Sequence, residues 1–258
     1  MTAQEIINTI ELVAPLGQQE GWDNSGLQVG QRQTDVCRVL LCTDVTDAIL
    51  SEAINKQCQM IISHHPLLFH GLKRVEGLTM SERCVIMAIQ HGIVIYSSHT
   101  AMDTYLHGVS GYAAEKLGIT DYRILSPTAE GVGLGVIGEL PQPISITDLL
   151  KKLKETFVTP VIRYVTAKDN DQYVQTIAFC GGAGSEFIEE AVRVGADAYI
   201  SADFKYHDFQ LPDGRISVFD IGHFESEQFT KEIFRNLLQD KVECILASAD
   251  CSPIKTYY

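Results

Sequence analysis

The amino-acid sequence predicts an α/β fold built from a duplicated β-α-β unit. Short apolar segments alternate with segments that have the apolar spacing of amphipathic helices, as is typical of parallel sheets. The second half then repeats the first at a constant offset of 138 residues, from Cys42 to Cys180 and from Ser63 to Ser201. A shared order of strand, turn, helix and strand at one offset indicates an internal duplication.

Composition and charge restrict the classes of function. The chain has 258 residues, of which 45% are hydrophobic and 21% are charged, as in folded globular proteins. The formal net charge of −13 argues against a nucleic acid or an anionic membrane as the main partner. No apolar run reaches the roughly 18 residues of a membrane span, and the N-terminus lacks the pattern of a secretion signal. We therefore expect a cytoplasmic protein whose seven cysteines are free thiols.

The first half of the chain supplies the first copy of the repeat. Residues 2–15 carry apolar positions at helical spacing, and Pro15 ends this helix. A turn-rich segment with the only tryptophan follows. We expect Trp22 to fill a core, and Asp23 and Asn24 to form turns. The remaining strands and helices of this half are expected, in chain order, over 36–45, 47–56, 60–64, 82–91, 92–96 and 109–117.

The sequence changes character near Arg123. Glycines and prolines become frequent between 131 and 143, which indicates turns and a new group of elements. A helix is expected over 145–157, strands around 134–139 and 160–166, and the second copy of the repeat over 177–201. We therefore assign residues 1–122 and 223–258 to a first α/β lobe, which carries most candidate ligands, and residues 123–222 to a second.

Two adjacent histidines follow the strand that begins at Met60. Pro66 cannot donate a hydrogen bond to a sheet, so the strand ends where His64 and His65 begin. Adjacent side chains on an extended backbone point in opposite directions, so one metal ion would rarely bind both. Two neighbouring ions could each bind one, because imidazole is the commonest metal ligand. The alternative is a polar loop whose histidines have no such role.

Each copy of the repeat is followed by a strand that ends in a histidine and an acid four residues apart. These pairs are His99 with Asp103 and His223 with Glu227. Residues at this spacing share one face of a helix, and ligands bind at the carboxyl ends of the strands in parallel α/β sheets. Several imidazoles and two carboxylates suit two divalent ions. Ordinary polar residues at strand ends are the alternative interpretation.

Two features of the second copy have two interpretations each. It has Ala202 and Asp203 in place of the histidine pair, and Asp203, Lys205 and His207 either line a cavity or belong to a surface loop. The glycine turn 180–185 could bind an anion through its backbone N–H groups. It lacks the lysine of a P-loop, so we favour close strand–helix packing as its role.

Sequence motifs are spread over nearly the whole chain. They lie at 22–30 (WDNSGLQVG), 62–66 (ISHHP), 98–103 (SHTAMD), 180–185 (CGGAGS), 195–199 (GADAY) and 222–227 (GHFESE). Together they resemble the NIF3-like family, whose members are also named GTP cyclohydrolase 1 type 2 homologues. The paired histidines and the final Gly-His-x-x-Ser-Glu are specific to this family.

The resemblance implies a NIF3-like fold with two interleaved α/β lobes and a dinuclear metal centre. The residues that match the family's ligands, with the last of them bridging, are His64, His65, Asp103, His223 and Glu227. His99 matches a position close to that centre: it either supports a ligand or is the candidate catalytic residue for proton transfer, for which His207 is the other candidate. The resemblance also implies a toroidal homohexamer whose metal sites face an inner cavity.

The expected function is binding of two divalent metal ions by each chain, with hydrolysis of a nucleotide-like or other small substrate. The family name would make GTP the substrate, attacked at C8 of the purine. Zinc, iron, manganese and nickel all suit imidazole and carboxylate ligands, so the metal stays open. The alternative function is a non-catalytic role in metal handling or delivery, or as a regulatory scaffold.

Overall fold

The computed structural model describes residues 1–167, 173–250 and 252–257. The helices, in chain order, are α1 (Ala3–Glu11), α2 (Asp47–Asn55), α3 (Met80–His91), α4 (Thr100–Asp103), α5 (Val109–Lys116), α6 (Ile146–Phe157), α7 (Ile188–Arg193), α8 (His223–Glu227) and α9 (Thr230–Leu238). The strands are β1 (Gly26–Val29), β2 (Arg38–Cys42), β3 (Met60–Ser63), β4 (Val94–Ser97), β5 (Tyr122–Ala129), β6 (Val132–Ser145), β7 (Arg163–Val165), β8 (Tyr173–Ala183), β9 (Ala198–Ala202), β10 (Ser217–Asp220) and β11 (Glu243–Leu246). None of the helices in these ranges combines the length and the apolar character that crossing a membrane requires.

The first of two compact units, unit 1, comprises Met1–Thr104 and Thr230–Cys251. The described residues of unit 1 form a five-stranded sheet in the order β1-β4-β3-β2-β11. Four of its strands are parallel, and β1 at the edge pairs antiparallel with β4. β3 and β4 are buried along their whole length, as is usual for the strands of a parallel sheet.

The second unit, unit 2, comprises Tyr105–Phe229 and Ser252–Tyr258. The described residues of unit 2 form a six-stranded sheet in the order β5-β6-β8-β9-β10-β7. β8, β9 and β10 are parallel, and the other pairs are antiparallel. A large apolar cluster includes the stacked rings of Phe157 and Phe179, whose centroids lie 5.6 Å apart. The mixed α/β class predicted from the sequence is therefore confirmed.

The division into units differs from the predicted lobes in three segments. Residues 105–122, 223–229 and 252–257, which the sequence predicts in the first lobe, lie in unit 2. In this unit α5 packs against β6 and β8, and α8 packs against β8. The next segment, with α9 and β11, lies in unit 1, where the sequence analysis also placed it. The lobe boundaries at 122 and 223 stay a prediction.

The predicted duplication is visible in the strand register. In unit 1, Val39 pairs with Met60 in the parallel β2–β3 pair. In unit 2, Ile177 pairs with Ala198 in the parallel β8–β9 pair, and both positions are shifted by the same 138 residues. The helical segment 47–55 corresponds to 185–193, where a 3-10 turn leads into α7. Two copies with the same register and helix placement support one duplicated β-α-β unit.

The segment 20–30 differs from the expected structure in two ways. Its last residues form β1, which lacks the continuous apolar run of β3 because it contains glycine and glutamine. The prediction that Trp22 fills a core is wrong, because Trp22 is 59% exposed. Its neighbour Asp23 has the fully buried side chain instead. A buried carboxylate with several hydrogen-bond donors takes the inward position, and the adjacent indole faces outward.

Glu52 on α2 holds the segment that follows β11. Its carboxylate accepts hydrogen bonds from the backbone N–H groups of Ser248 and Ala249 and pairs with Lys56 Nζ at 2.6 Å. Burial disfavours the charged form of Glu52, but the hydrogen bonds from Lys56, Ser248 and Ala249 outweigh it and lower its pKa to about 2. The ionised carboxylate therefore stabilises the folded protein.

We expect Glu52→Gln to lower the free energy of unfolding by up to about 3 kcal/mol at pH 7. The pKa of Glu52 lies below its ordinary value of 4.5 in the folded protein. Its contribution is therefore present above about pH 4.5 and is lost as the pH falls toward 2. Urea unfolding of both proteins across this range checks the expectation. As a control, Glu155→Gln at an exposed position of α6 should change stability by less than about 0.5 kcal/mol. A Glu52 effect that does not change with pH would contradict the expectation.

Candidate metal centre

His64 and His65 lie at the carboxyl end of β3, where the sequence placed them. Their backbone N–H groups donate to the carbonyls of Cys42 and Thr43, which continues the pairing of β3 with β2. His64 is fully buried, and its Nδ1 lies 3.1 Å from the backbone carbonyl of Ser98. Because a carbonyl only accepts hydrogen bonds, Nδ1 of His64 carries the hydrogen, and in the neutral ring Nε2 carries the lone pair.

His65 is oriented by Asp44, which follows β2. Oδ1 of Asp44 lies 2.9 Å from Nδ1 of His65, so Nδ1 donates and the Nε2 atom carries the lone pair in the neutral ring. The turn that carries Asp44 is held by Asp250, whose carboxylate accepts from both the N–H and the hydroxyl of Thr43 at 3.0 Å. Lys231 Nζ balances the charge of Asp250 at 3.0 Å. The turn that carries Asp44 is therefore anchored by a partly buried ion pair.

His99 is oriented by Asp23. Oδ1 of Asp23 lies 2.9 Å from Nδ1 of His99, and Oδ2 accepts from the N–H and hydroxyl of Thr100 and from the hydroxyl of Ser25. Burial opposes ionisation of Asp23, but the hydrogen bonds from His99 and Thr100 outweigh it and lower its pKa. The sequence around Asp23 predicts only a turn there. Its place in the motif 22–30 was the signal for a further role.

The histidines of unit 1 form a cluster of potential metal ligands. One ring nitrogen from each of His64, His65 and His99 lies within 4.8 Å of the others. Asp103, at the end of α4, places its Oδ1 3.7 Å from Nε2 of His64. Imidazole and carboxylate are ligands that suit divalent transition metals. This cluster could therefore bind a metal ion.

Unit 2 carries the second predicted histidine–acid pair on α8. Nε2 of His223 lies 3.1 Å from Oε2 of Glu227, and Nδ1 of His223 lies 2.8 Å from Oδ2 of Asp203. Burial disfavours the imidazolium form, but the carboxylates of Glu227 and Asp203 outweigh it and raise the pKa of His223 to about 11. The two carboxylates therefore create a position that favours positive charge.

The glycine turn 180–185 packs against α8. Gly182 has a φ of +66°, and a Cβ added to it would lie 2.3 Å from Oε1 of Glu227 and 3.4 Å from Cε1 of His223. The backbone N–H of Gly182 donates to the hydroxyl of Ser226 at 2.9 Å. Only glycine leaves room for the Glu227 carboxylate at this position. The close packing favoured from the sequence matches this arrangement.

The four histidines of these two sets share one hydrogen-bonding pattern. In each of them Nδ1 faces an oxygen atom, which belongs to Ser98 for His64, Asp44 for His65, Asp23 for His99 and Asp203 for His223. Metal-binding histidines usually have such a partner, which fixes the tautomer and orients the other ring nitrogen toward the ion. The ligand chemistry of both sets therefore fits divalent metal ions.

The predicted site residues are brought together within each unit. Unit 1 groups His64, His65, His99 and Asp103, and unit 2 groups His223 with Glu227. Their assignment as ligands, and the catalytic role of His99, stay predictions. Asp203 accepts a hydrogen bond from His223, and Asp203, Lys205 and His207 are all exposed. The role of Asp44 in orienting His65 was not predicted, because the two residues are 21 positions apart and no local sequence pattern links them.

Comparisons with known proteins agree on one family. The sequence profile described as Duf34/NIF3 (NGG1p interacting factor 3) matches residues 1–253. A GTP cyclohydrolase 1 type 2 homolog of Clostridium perfringens is 33% identical over 232 residues, 88% of this chain and 87% of the relative. A protein of the same name from Clostridium acetobutylicum is 34% identical over 88% of this chain and 85% of its own length. The crystal structure of a Bacillus cereus protein related to NIF3 has a TM-score of 0.91 at 21% identity, covering 100% of this chain and 99% of that one, which shows the shared fold.

Proposed function

Because this chain belongs to the Duf34/NIF3 family, we propose that it is a dinuclear metal-binding protein and a metal-dependent hydrolase of a small substrate. In this proposal five side chains bind two divalent ions: His64, His65, Asp103, His223 and Glu227. Zinc, iron, manganese and nickel are all compatible with these ligands. The proposal also includes a homohexamer in the cytoplasm, as the family resemblance implies.

The hydrogen bonds at the histidine Nδ1 atoms carry this proposal. His65 and His223 each donate from Nδ1 to a carboxylate, at 2.9 Å in one case and 2.8 Å in the other. Such a partner raises the basicity of the ring and holds Nε2 in one direction. A histidine that only fills space in a core does not require a carboxylate on its Nδ1. The repetition of this arrangement in both units favours ligand roles over incidental polar residues.

The hydrolytic part of the proposal assigns a role to His99. Divalent ions at such a site lower the pKa of a water molecule and polarise a substrate oxygen. His99 would accept or donate the proton that the reaction moves, while the carboxylate of Asp23 faces Nδ1 and holds the ring in one orientation. The names of the curated relatives make a nucleotide such as GTP the first substrate to test.

Metal content per chain is the measurement that tests this function. We expect elemental analysis of untagged protein, purified without chelator, to give about two divalent ions per chain. His65→Ala and Glu227→Gln should each lower this number, because each removes a ligand, whereas His107→Ala at an exposed site serves as the control. Light scattering on the same sample measures the number of chains in the assembly.

The outcome also separates the hydrolase from its alternative. Release of formate or phosphate from GTP, or of product from a wider panel of small substrates, by the metal-loaded protein supports hydrolysis. Ions that pass to an acceptor apoprotein without a chelator, with no turnover of any substrate, indicate metal delivery instead. No stoichiometric metal in the parent protein would contradict the proposed function as a whole.

A further inference from the structure

Trp22, the only tryptophan in the chain, lies beside the histidine cluster of unit 1 and is 59% exposed. Its ring centroid lies 5.8 Å from that of His99 and 5.8 Å from that of Phe69, which is 43% exposed. The rings of Phe69 and His99 are 6.4 Å apart. We call Trp22 and Phe69 the aromatic platform. Single exposed apolar residues are common, but large aromatic side chains that are exposed side by side often mark a binding site.

The exposure of the platform does not come from a loosely held loop. Asn24 Nδ2 donates to the backbone carbonyl of Leu68 at 2.6 Å, and the N–H of Leu68 donates to Oε1 of Gln28 at 3.1 Å. These two hydrogen bonds fasten the residue before Phe69 to the segment that carries Trp22. The next residue after Trp22, Asp23, has a fully buried side chain. The backbone is therefore fixed on both sides of the platform while the two rings stay accessible.

We propose that the aromatic platform binds a planar nitrogen heterocycle, such as a nucleobase, and holds it against the histidine cluster. This inference rests on the proposed function and names the class of substrate for the same site. The faces of aromatic side chains stack on planar rings. His99 adds a polar group at the edge of the platform, and an apolar surface with one placed polar group suits a ring that carries heteroatoms. An aliphatic ligand would offer no hydrogen-bonding atom to the ring of His99, whose Nδ1 already faces Asp23.

Fluorescence of the single tryptophan tests this directly. The metal-loaded protein is titrated with guanosine, cytidine and nicotinamide, and with ribose as a probe that has no aromatic ring. We expect at least one heterocycle to quench the Trp22 emission with saturation, and ribose to leave it unchanged. N-acetyltryptophanamide under the same conditions corrects for absorption and collisional quenching by the probes.

Calorimetry with variants then assigns the binding to the platform. Trp22→Ala should lower the affinity for the heterocycle that quenches Trp22 by about 10-fold or more, as expected for loss of one stacking partner. Trp22→Phe, which keeps an aromatic face, should retain most of the affinity. Tyr206→Ala is the control, because Tyr206 is an aromatic residue of unit 2 that is 75% exposed. This variant should bind the same heterocycle with the affinity of the parent protein.

The possible results distinguish this inference from the proposed function. Two ions per chain with no response to any heterocycle would overturn the platform and leave metal binding intact. Saturable quenching in protein that binds no metal would support the platform and contradict the metal centre. A smaller assembly in Trp22→Ala, together with no heterocycle binding by the parent, would show that the platform is a contact between copies of the chain.

Discussion

Gly182→Ala is expected to lower the metal affinity of the protein by at least about 100-fold while the protein stays folded. The added Cβ would lie 2.3 Å from Oε1 of Glu227, so the carboxylate has to move. The carboxylate is the end of a flexible side chain, and its displacement costs less than a shift of backbone. The loss therefore falls on metal binding, and it should exceed the 10- to 100-fold typical of changing only a ligand's partner. Competition with a chromophoric chelator measures the affinity.

A second glycine separates this contact from backbone strain. Gly182 has a φ of +66°, which costs an alanine about 1–2 kcal/mol. Gly195 has a φ of +81°, but no atom lies within 4 Å of a Cβ added to it. Gly195→Ala should therefore lose a similar amount of stability and keep the metal affinity of the parent. Equal metal affinity in the two variants would show that Glu227 does not depend on Gly182, or is not a ligand.

The fold could be predicted from the sequence because the signals for it are local and repeated. Buried strands such as β2 and β3 appear as apolar runs, and the copy at 177–201 doubles the signal. β1 is as short as β3, but it escaped prediction because glycine and glutamine interrupt its apolar residues. The lobe boundaries depend on which sheet α5 and α8 pack against. That choice follows from contacts far apart in sequence rather than from any local pattern.

The candidate site could be predicted only in part, for a related physical reason. His64 and His65 stand out because they end a strand, and His223 and Glu227 stand out because they repeat an earlier spacing. The carboxylates that orient the histidines have no such pattern. Asp23 acts on His99 from 76 residues away, and an aspartate in a turn-rich segment has the same sequence signature whether it orients a histidine or only closes a turn. The prediction that Trp22 is buried was wrong for the same reason, because Trp22 faces outward where the neighbouring Asp23 is buried.

Asp203 offers the sharpest test of an orienting carboxylate. Asp203→Gly is expected to lower metal affinity by about 10- to 100-fold, because Nδ1 of His223 loses the oxygen at 2.8 Å that orients its ring. Glycine suits this position, since Asp203 has a φ of +60° that an alanine would adopt only with strain. Asp203→Asn keeps an oxygen that accepts from Nδ1 and removes the negative charge. Its loss of affinity should be smaller, below about 10-fold. Metal titration against the same chromophoric chelator gives both values.

Asp213 supplies the matched control for this experiment. It lies in the same unit, is exposed, and has a φ of +45°, so Asp213→Gly makes the same chemical change at a comparable backbone conformation. This variant should bind metal as the parent does. If Asp203→Gly and Asp213→Gly both kept full affinity, His223 would need no carboxylate on Nδ1, and the shared pattern of the four histidines would lose its meaning for metal binding. The expected result is a graded loss of metal affinity: larger for Asp203→Gly than for Asp203→Asn, and absent for Asp213→Gly. It would establish that the second copy of the repeat, which has no histidine pair, supplies a carboxylate that orients His223.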